Sequence, residues 1–215
     1  GNVPLPSTLR IWNVRDFTLH GNPDGTTLVY AGPPDAPAID IRGAYWPTLR
    51  NLNIITRTPD AECGVRISSE PAMTPNPHGL GCTHALFDRV HVHAGHTRPA
   101  FKDAFQVGNR QHDQNCDWHE WRDCTLSLFQ RDGVRVMGSQ CHSLLFSRCI
   151  FLGYGGGQRA IHGEFGCYWT VRDCGAAWLR DCDIVAYNGV SSVTVQGWNS
   201  ENGRQLFRTG GPSGA

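Results

Sequence analysis

Two aspartates, Asp103 and Asp132, each stand two residues ahead of the first apolar residue of a matching segment, Phe105-Gln-Val and Val134-Arg-Val. If the two segments lie side by side, the carboxyls come within about 5 Å, the separation used by retaining glycosidases, and mutual repulsion raises one pKa toward that of a general acid. Glu164 offers either of them an inverting partner. Asp132-Gly133 is equally a turn signal, and Asp103 equally suits a loop or a cap. Arg66, Arg135 and His162 occupy one equivalent position in three such segments. There an arginine can grip a uronate carboxylate with two bonds and a histidine can move a proton, which is the equipment of an eliminating lyase. The candidate catalytic set is thus Asp103, Asp132, Glu164 and His162. Arg66, Gln106 and Arg135 form a polar ladder able to hold sugar hydroxyls and carboxylates, or simply a face made polar by water. Tyr154, Phe165, Tyr168 and Trp169, in or near later loops, can stack on sugar faces or fold back over the coil ends; of these, Tyr168 and Trp169 join the substrate-binding candidates.

Histidine raises the question of a metal. His91-x-His93, with His96 nearby, puts two imidazoles on one side of a strand, and His112 and His119 bracket an acidic loop. No third ligand can be assigned, so neither a metal nor another cofactor is expected. His119 falls at an inward position between two tryptophans, which suits a satisfied core histidine.

The elements that must position these residues follow from a repeat. Cys82, Cys116, Cys141 and Cys174 each precede a large apolar residue, Phe87, Trp121, Phe146 and Leu179, by the same offset. On that register the chain reads Leu49-Arg-Asn-Leu-Asn-Ile, Phe87-Asp-Arg-Val-His-Val, Trp121-Arg-Asp-Cys-Thr-Leu, Phe146-Ser-Arg-Cys-Ile-Phe and Leu179-Arg-Asp-Cys-Asp-Ile, with an earlier copy Val14-Arg-Asp-Phe-Thr-Leu. Alternation at positions four and six is the period of a strand with one buried face, and the three-residue step from one to four requires a bend at position three. A second pattern supplies a third strand: Ile39-Asp-Ile, Val65-Arg-Ile, Phe105-Gln-Val, Val134-Arg-Val, Ile161-His-Gly and Val193-Thr-Val. Constant strand cores with unequal spacing place the insertions in loops, at 69–82, 94–103, 109–116 and 164–174, where recognition often sits. The expected fold is all-β: a parallel β-helix solenoid with three strands per coil and about six coils, one domain over residues 1–215. Position four is cysteine in three copies, so Cys124, Cys149 and Cys182 should form an inward row.

Nine cysteines without a C-x-x-C pair, in a chain able to bury a core unaided, argue against a disulfide or zinc framework and for folding in a reducing compartment. Nineteen basic and nineteen acidic residues balance, and no basic run tracks a phosphate backbone, so nucleic acid is not an expected partner. No apolar stretch reaches membrane length. The chain begins inside the repeat and ends at Gly210-Gly-Pro-Ser-Gly-Ala215 without the amphipathic caps of a solenoid, so it reads as part of a longer protein. Trp46, Leu86, Trp118, Leu145 and Trp178 are expected to face outward in one apolar row, which predicts a homotrimer.

The stretch Pro6-Ser-Thr-Leu-Arg-Ile-Trp-Asn-Val-Arg-Asp-Phe-Thr-Leu-His-Gly21, with Gly25-Thr-Thr-Leu-Val-Tyr, Ala38-Ile-Asp-Ile-Arg-Gly43 and Leu49-Arg-Asn-Leu-Asn-Ile54, resembles the early coils of the pectate-lyase-like right-handed parallel β-helix superfamily, particularly its phage tail-spike and polysaccharide-degrading members. The resemblance implies a secreted or virion-associated protein that binds or cleaves a carbohydrate polymer along its flank, often as a homotrimer. Hydrolysis is favoured over elimination; the aspartate cluster that binds calcium in many pectate lyases is not found, which speaks against pectate itself and leaves the glycan open. A catalytically silent tail component or carbohydrate-binding adhesin is the alternative.

Overall fold

The bent side of the coil is broken into short strands by residues with left-handed backbone. In the computed structural model, which describes residues 1–22, 25–69, 81–94, 100–109, 115–138, 140–154, 156–166, 168–187, 190 and 192–210, such residues recur at three corners. The first corner holds Asp16, Trp46, His84, Trp118, Ser143 and Tyr168; the second holds Asn51, Arg89, Asp123, Arg148 and Asp173; the third holds Leu128, Trp178 and Asn202. All have φ between 51° and 59°. Left-handed φ costs a non-glycine residue about 1–2 kcal/mol, and hydrogen bonds between coils hold it in place. Trp46 N–H donates to Thr83 O at 3.0 Å, His84 N–H to Asp117 O at 3.0 Å, and Trp118 N–H to His142 O at 3.0 Å.

The strands are all parallel and stack coil on coil, with no helix among the described residues. One coil runs from Cys63–Ser68 through Cys82–Thr83 and Leu86–Val92, which bends at Arg89, to Asp103–Val107. The bent strands form a thirteen-stranded sheet and the straight ones an eight-stranded sheet, giving about seven turns where the sequence repeat yields about six. The eight-stranded sheet keeps one register throughout: Leu9, Ile39, Val65, Phe105, Val134, Ile161, Ile184 and Phe207 lie in line.

Two end copies of the repeat are displaced. The bend after Val171-Arg-Asp is at Asp173, and Cys182 instead opens the straight strand Cys182–Ala186. Val193–Gln196 belongs to the bent sheet, beside Trp169–Arg172. Asp16 of the earliest copy lies at the first corner, in line with Trp46. The physical reason is that consecutive corners stand five residues apart, so one apolar-Arg-Asp pattern suits more than one side of the coil.

Corrected for this, the cysteines form two inward rows. Cys82 and Cys116 pair directly, with Cys141 hydrogen-bonded to Cys116. Cys174, rather than Cys182, continues Cys124 and Cys149, and the Cys149 N–H donates to Cys174 Sγ at 3.3 Å. The eight described cysteines are free and buried, and burial pushes the Cys82 thiol up to about 12. Beside them Trp121 stacks between Phe87 and Phe146, at 5.3 Å and 4.6 Å, with Phe105 edge-on at 5.8 Å.

His119 is fully buried, as its position predicts. Its Nδ1 accepts the Ala85 N–H at 3.1 Å, so the proton sits on Nε2, 3.3 Å from Cys116 Sγ. Burial lowers its pKa to about 3, well below the ordinary histidine value of about 6.5. The unfolded chain takes up a proton that the folded one refuses, so stability is complete above the ordinary histidine pKa and falls as pH drops through it. From pH 7 to pH 5, His119 is expected to account for a loss of about 2 kcal/mol. Urea unfolding at the two pH values checks this: His119→Gln should show a flatter dependence than the parent, and equal slopes would refute it.

Candidate functional site

On the straight sheet, Asp103 and Asp132 are paired in register, as their spacing predicts. Both are closed to solvent. Asp103 Oδ1 accepts Arg131 Nε at 2.8 Å and the Asp132 N–H at 3.2 Å, while Oδ2 accepts Arg131 Nη2 at 2.5 Å and Gln106 Nε2 at 2.9 Å. Those four bonds use the lone pairs a carboxylate has. Burial raises the Asp103 pKa, with Arg131 opposing and Asp132 adding to the rise. Asp132 accepts Arg159 Nε at 2.8 Å and meets His162 Nδ1 at 2.9 Å. His162 is buried, its ring edge-on to Tyr187 at 5.4 Å, and its Nε2 has no hydrogen-bond partner among the described residues.

The rest of the polar ladder is likewise engaged within the chain. Arg66 Nε donates to Gln106 Oε1 at 3.2 Å, and Gln106 Nε2 donates to Glu62 Oε1 at 2.6 Å. Arg135 donates twice to Glu164 Oε1, at 3.0 and 2.6 Å. Burial works to raise the Glu62 pKa, but hydrogen bonds from Gln106 and Lys102 and the charges of Lys102 and Arg131 outweigh it and hold the carboxyl low. The expected row thus exists from Asp40 to His162, but Val185 follows His162 where Thr194 was expected. Trp169 is not available for stacking on a ligand: it is buried against Gly163, where even a Cβ would overlap the indole. Tyr168 stands open, 65% exposed. His96, His112 and much of the loops expected at 69–82, 94–103 and 109–116 lie outside the described residues. The stretch 164–174, expected as a loop, instead carries the strand Trp169–Arg172 between the corners at Tyr168 and Asp173, because its apolar alternation at Trp169 and Val171 turns both inward.

The open chemistry lies at the first corner. Trp46 and Trp118 are 46% and 54% exposed. The His84 ring lies between them, 5.4 Å from Trp46 and 5.1 Å from Trp118, so three successive coils build one aromatic pile. Arg15 reaches over Tyr45 and Trp46 at its lower end, 5.5 Å from each ring. Next to Trp46, an open cleft of about 410 Å³ is lined by Asp16, Thr18, Trp46 and Thr48. An indole, two hydroxyls and a carboxylate suit a sugar, which offers C–H groups to the ring and O–H groups to the oxygens.

The predicted apolar row is divided between corners. Trp46 and Trp118 stand at the first, while Trp178 stands at the third, stacked on Tyr154 at 4.7 Å; Leu86 and Leu145 are half-buried on the strands between. The alternation from which the row was extrapolated restarts at each left-handed residue. The first corner did carry a spacing signal: Cys82-Thr-His84, Cys116-Asp-Trp118 and Cys141-His-Ser143 place its residues two after an inward cysteine.

Stacked parallel coils with inward cysteine and aromatic rows define the chain as a parallel β-helix. Among solved structures it is similar to the Streptococcus pneumoniae surface protein and adhesin PfbA, at 10% sequence identity and a TM-score of 0.35, over 99% of this chain and 89% of that one. No protein-family model and no curated protein matches the chain.

Proposed function

We propose that this β-helix is a carbohydrate-binding protein that holds a glycan at its first corner without cleaving it, displayed outside the cell or on a virion. The observation that carries this reading is the open cleft beside the Trp46–His84–Trp118 pile, which joins an exposed aromatic ring to the oxygens of Asp16, Thr18 and Thr48. The paired carboxylates support the same reading from the other side, because Asp103 spends its lone pairs on Arg131, Gln106 and the backbone. Hydrolysis keeps one supporting observation, the in-register pairing of Asp103 with Asp132. It would require Arg131 and Arg159 to swing away from them.

The test is to titrate immobilised neutral and acidic polysaccharides with the chain and then to follow the bound polymer's length on long incubation. Binding is expected with no shortening, and Trp46→Ala is expected to weaken it about ten-fold, the loss of one aromatic anchor. Shortening that disappears in Asp103→Asn would establish the hydrolytic reading instead. Binding unchanged by Trp46→Ala would remove the cleft from the site.

A further inference from the structure

The first corner offers a second subsite, at Ser143. Successive coils place one left-handed residue there, and Trp46, His84, Trp118, Ser143 and Tyr168 follow one another along the row. Their order follows from the pairing of Thr48, Leu86, Glu120, Leu145 and Thr170, each two residues further along the chain. Rings fill the first three places at 5.4 and 5.1 Å, close to the spacing of adjacent strands. His84 therefore shows what fits between two members of the row that lie two coils apart: one ring, stacked on Trp118 and tilted by 34° against Trp46.

Ser143 stands in the equivalent place between Trp118 and Tyr168 and carries no ring. The ring of Trp118 lies within 22° of parallel to His84, so its other face is turned along the row toward Ser143. Trp118 and Tyr168 are among the most exposed large side chains of the molecule. Two strand spacings, about 10 Å, separate their coils. Half-buried Leu145 lies two residues beyond Ser143.

Beside this place Glu120 is closed by Arg122 at 2.7 Å, and Asp117 accepts the His142 N–H at 2.9 Å. A carboxylate bonded to an amide is not neutralised by it and repels an acidic sugar, so the ring the slot suits is uncharged.

We infer that the slot between Trp118 and Tyr168, floored by Ser143, takes one neutral pyranose unit of a glycan running along the solenoid axis. This rests on the carbohydrate-binding reading. It adds a subsite three coils above the Asp16–Trp46 cleft, the aromatic pile standing between them.

Filling the slot from within the chain tests the inference. Ser143→Trp places an indole where Trp46 and Trp118 already show that tryptophan tolerates the same left-handed backbone, so the fold is expected to survive, which circular dichroism verifies. The parent, Ser143→Trp, Tyr168→Ala and Trp46→Ala are titrated with neutral glucan and xylan hexasaccharides and with a hexasaccharide of galacturonate, followed by calorimetry. Expected is binding of a neutral hexasaccharide by the parent, at least ten-fold weaker in Ser143→Trp and several-fold weaker in Tyr168→Ala. Folded Ser143→Trp that binds as the parent does, while Trp46→Ala does not, would overturn the slot and leave the glycan reading standing. Preference of the parent for galacturonate would overturn the neutral assignment. Absence of binding to every hexasaccharide would overturn both readings. If sedimentation shows a self-associating parent and a monomeric Ser143→Trp, the occupant is a side chain of a second copy and the proposal fails.

Discussion

Arg131→Ala is expected to lower stability by about 3–5 kcal/mol, because it leaves Asp103 buried without its bidentate partner. The loss reflects an uncompensated charge more than the worth of the ion pair itself. Asp103 is closed to solvent, whereas the Arg131 side chain is 31% exposed, so the two halves of the pair are not equivalent. Asp103→Asn leaves a cation that can turn toward water and is expected to cost less. Acid should partly restore Arg131→Ala. Burial already raises the Asp103 pKa, and removing the guanidinium raises it further. Folding then favours the protonated form, so the penalty is full at neutral pH and shrinks as pH falls through the raised pKa. Urea midpoints at two pH values check both points, and a loss under 1 kcal/mol at pH 7 would show that the carboxylate is not bound as described. The exposed Arg148–Asp123 pair is the control, and breaking it should have no measurable effect.

Trp121→Ala should cost a similar amount, about 3–5 kcal/mol, through a different mechanism. Trp121 is fully buried and lies in contact with aromatic rings of the coil before, the coil after and the opposite sheet, so its loss opens a cavity that three elements border. Trp121→Phe separates packing from polarity. The indole Nε1 has no hydrogen-bond partner among the described residues, so phenylalanine surrenders volume but no bond and should cost under about 2 kcal/mol. Equal losses in the two variants would mean that the stack contributes little. In a solenoid each coil leans only on its neighbours, so hydrogen exchange in Trp121→Ala should rise first in the coils of Phe87 and Phe146.

The solenoid was legible in the sequence because its inward positions are repetitive, and Phe87, Trp121 and Phe146 fall in line as the spacing predicts. The copy at Leu179 slipped because Val171-Arg-Asp-Cys and Leu179-Arg-Asp-Cys read alike, and only the backbone at Asp173 distinguishes them. The alignment of Asp103 with Asp132 was likewise legible, since each sits at a fixed distance from an inward residue. Their closure was not, because it depends on Arg131 and Arg159, which precede their strands or open them. Trp46 and Trp118 were recognised as outward, yet alternation alone could not bring His84 between them. That contact arises from corner geometry, in which one residue per coil points along the row.

The corner row also behaves as a ruler cut into the protein's edge. Each coil adds one graduation at a fixed pitch, and the residue that marks it sits between inward neighbours, such as Cys116 and His119 on either side of Trp118, which belong to the core. Exchanging one mark for another, ring for hydroxyl or hydroxyl for ring, rewrites what the edge reads at that point and leaves the packing beneath it unchanged. If a glycan is held there, a ligand with a matching repeat could be met by changing a single letter per coil, and recognition and folding would be inscribed in separate columns of the same short text.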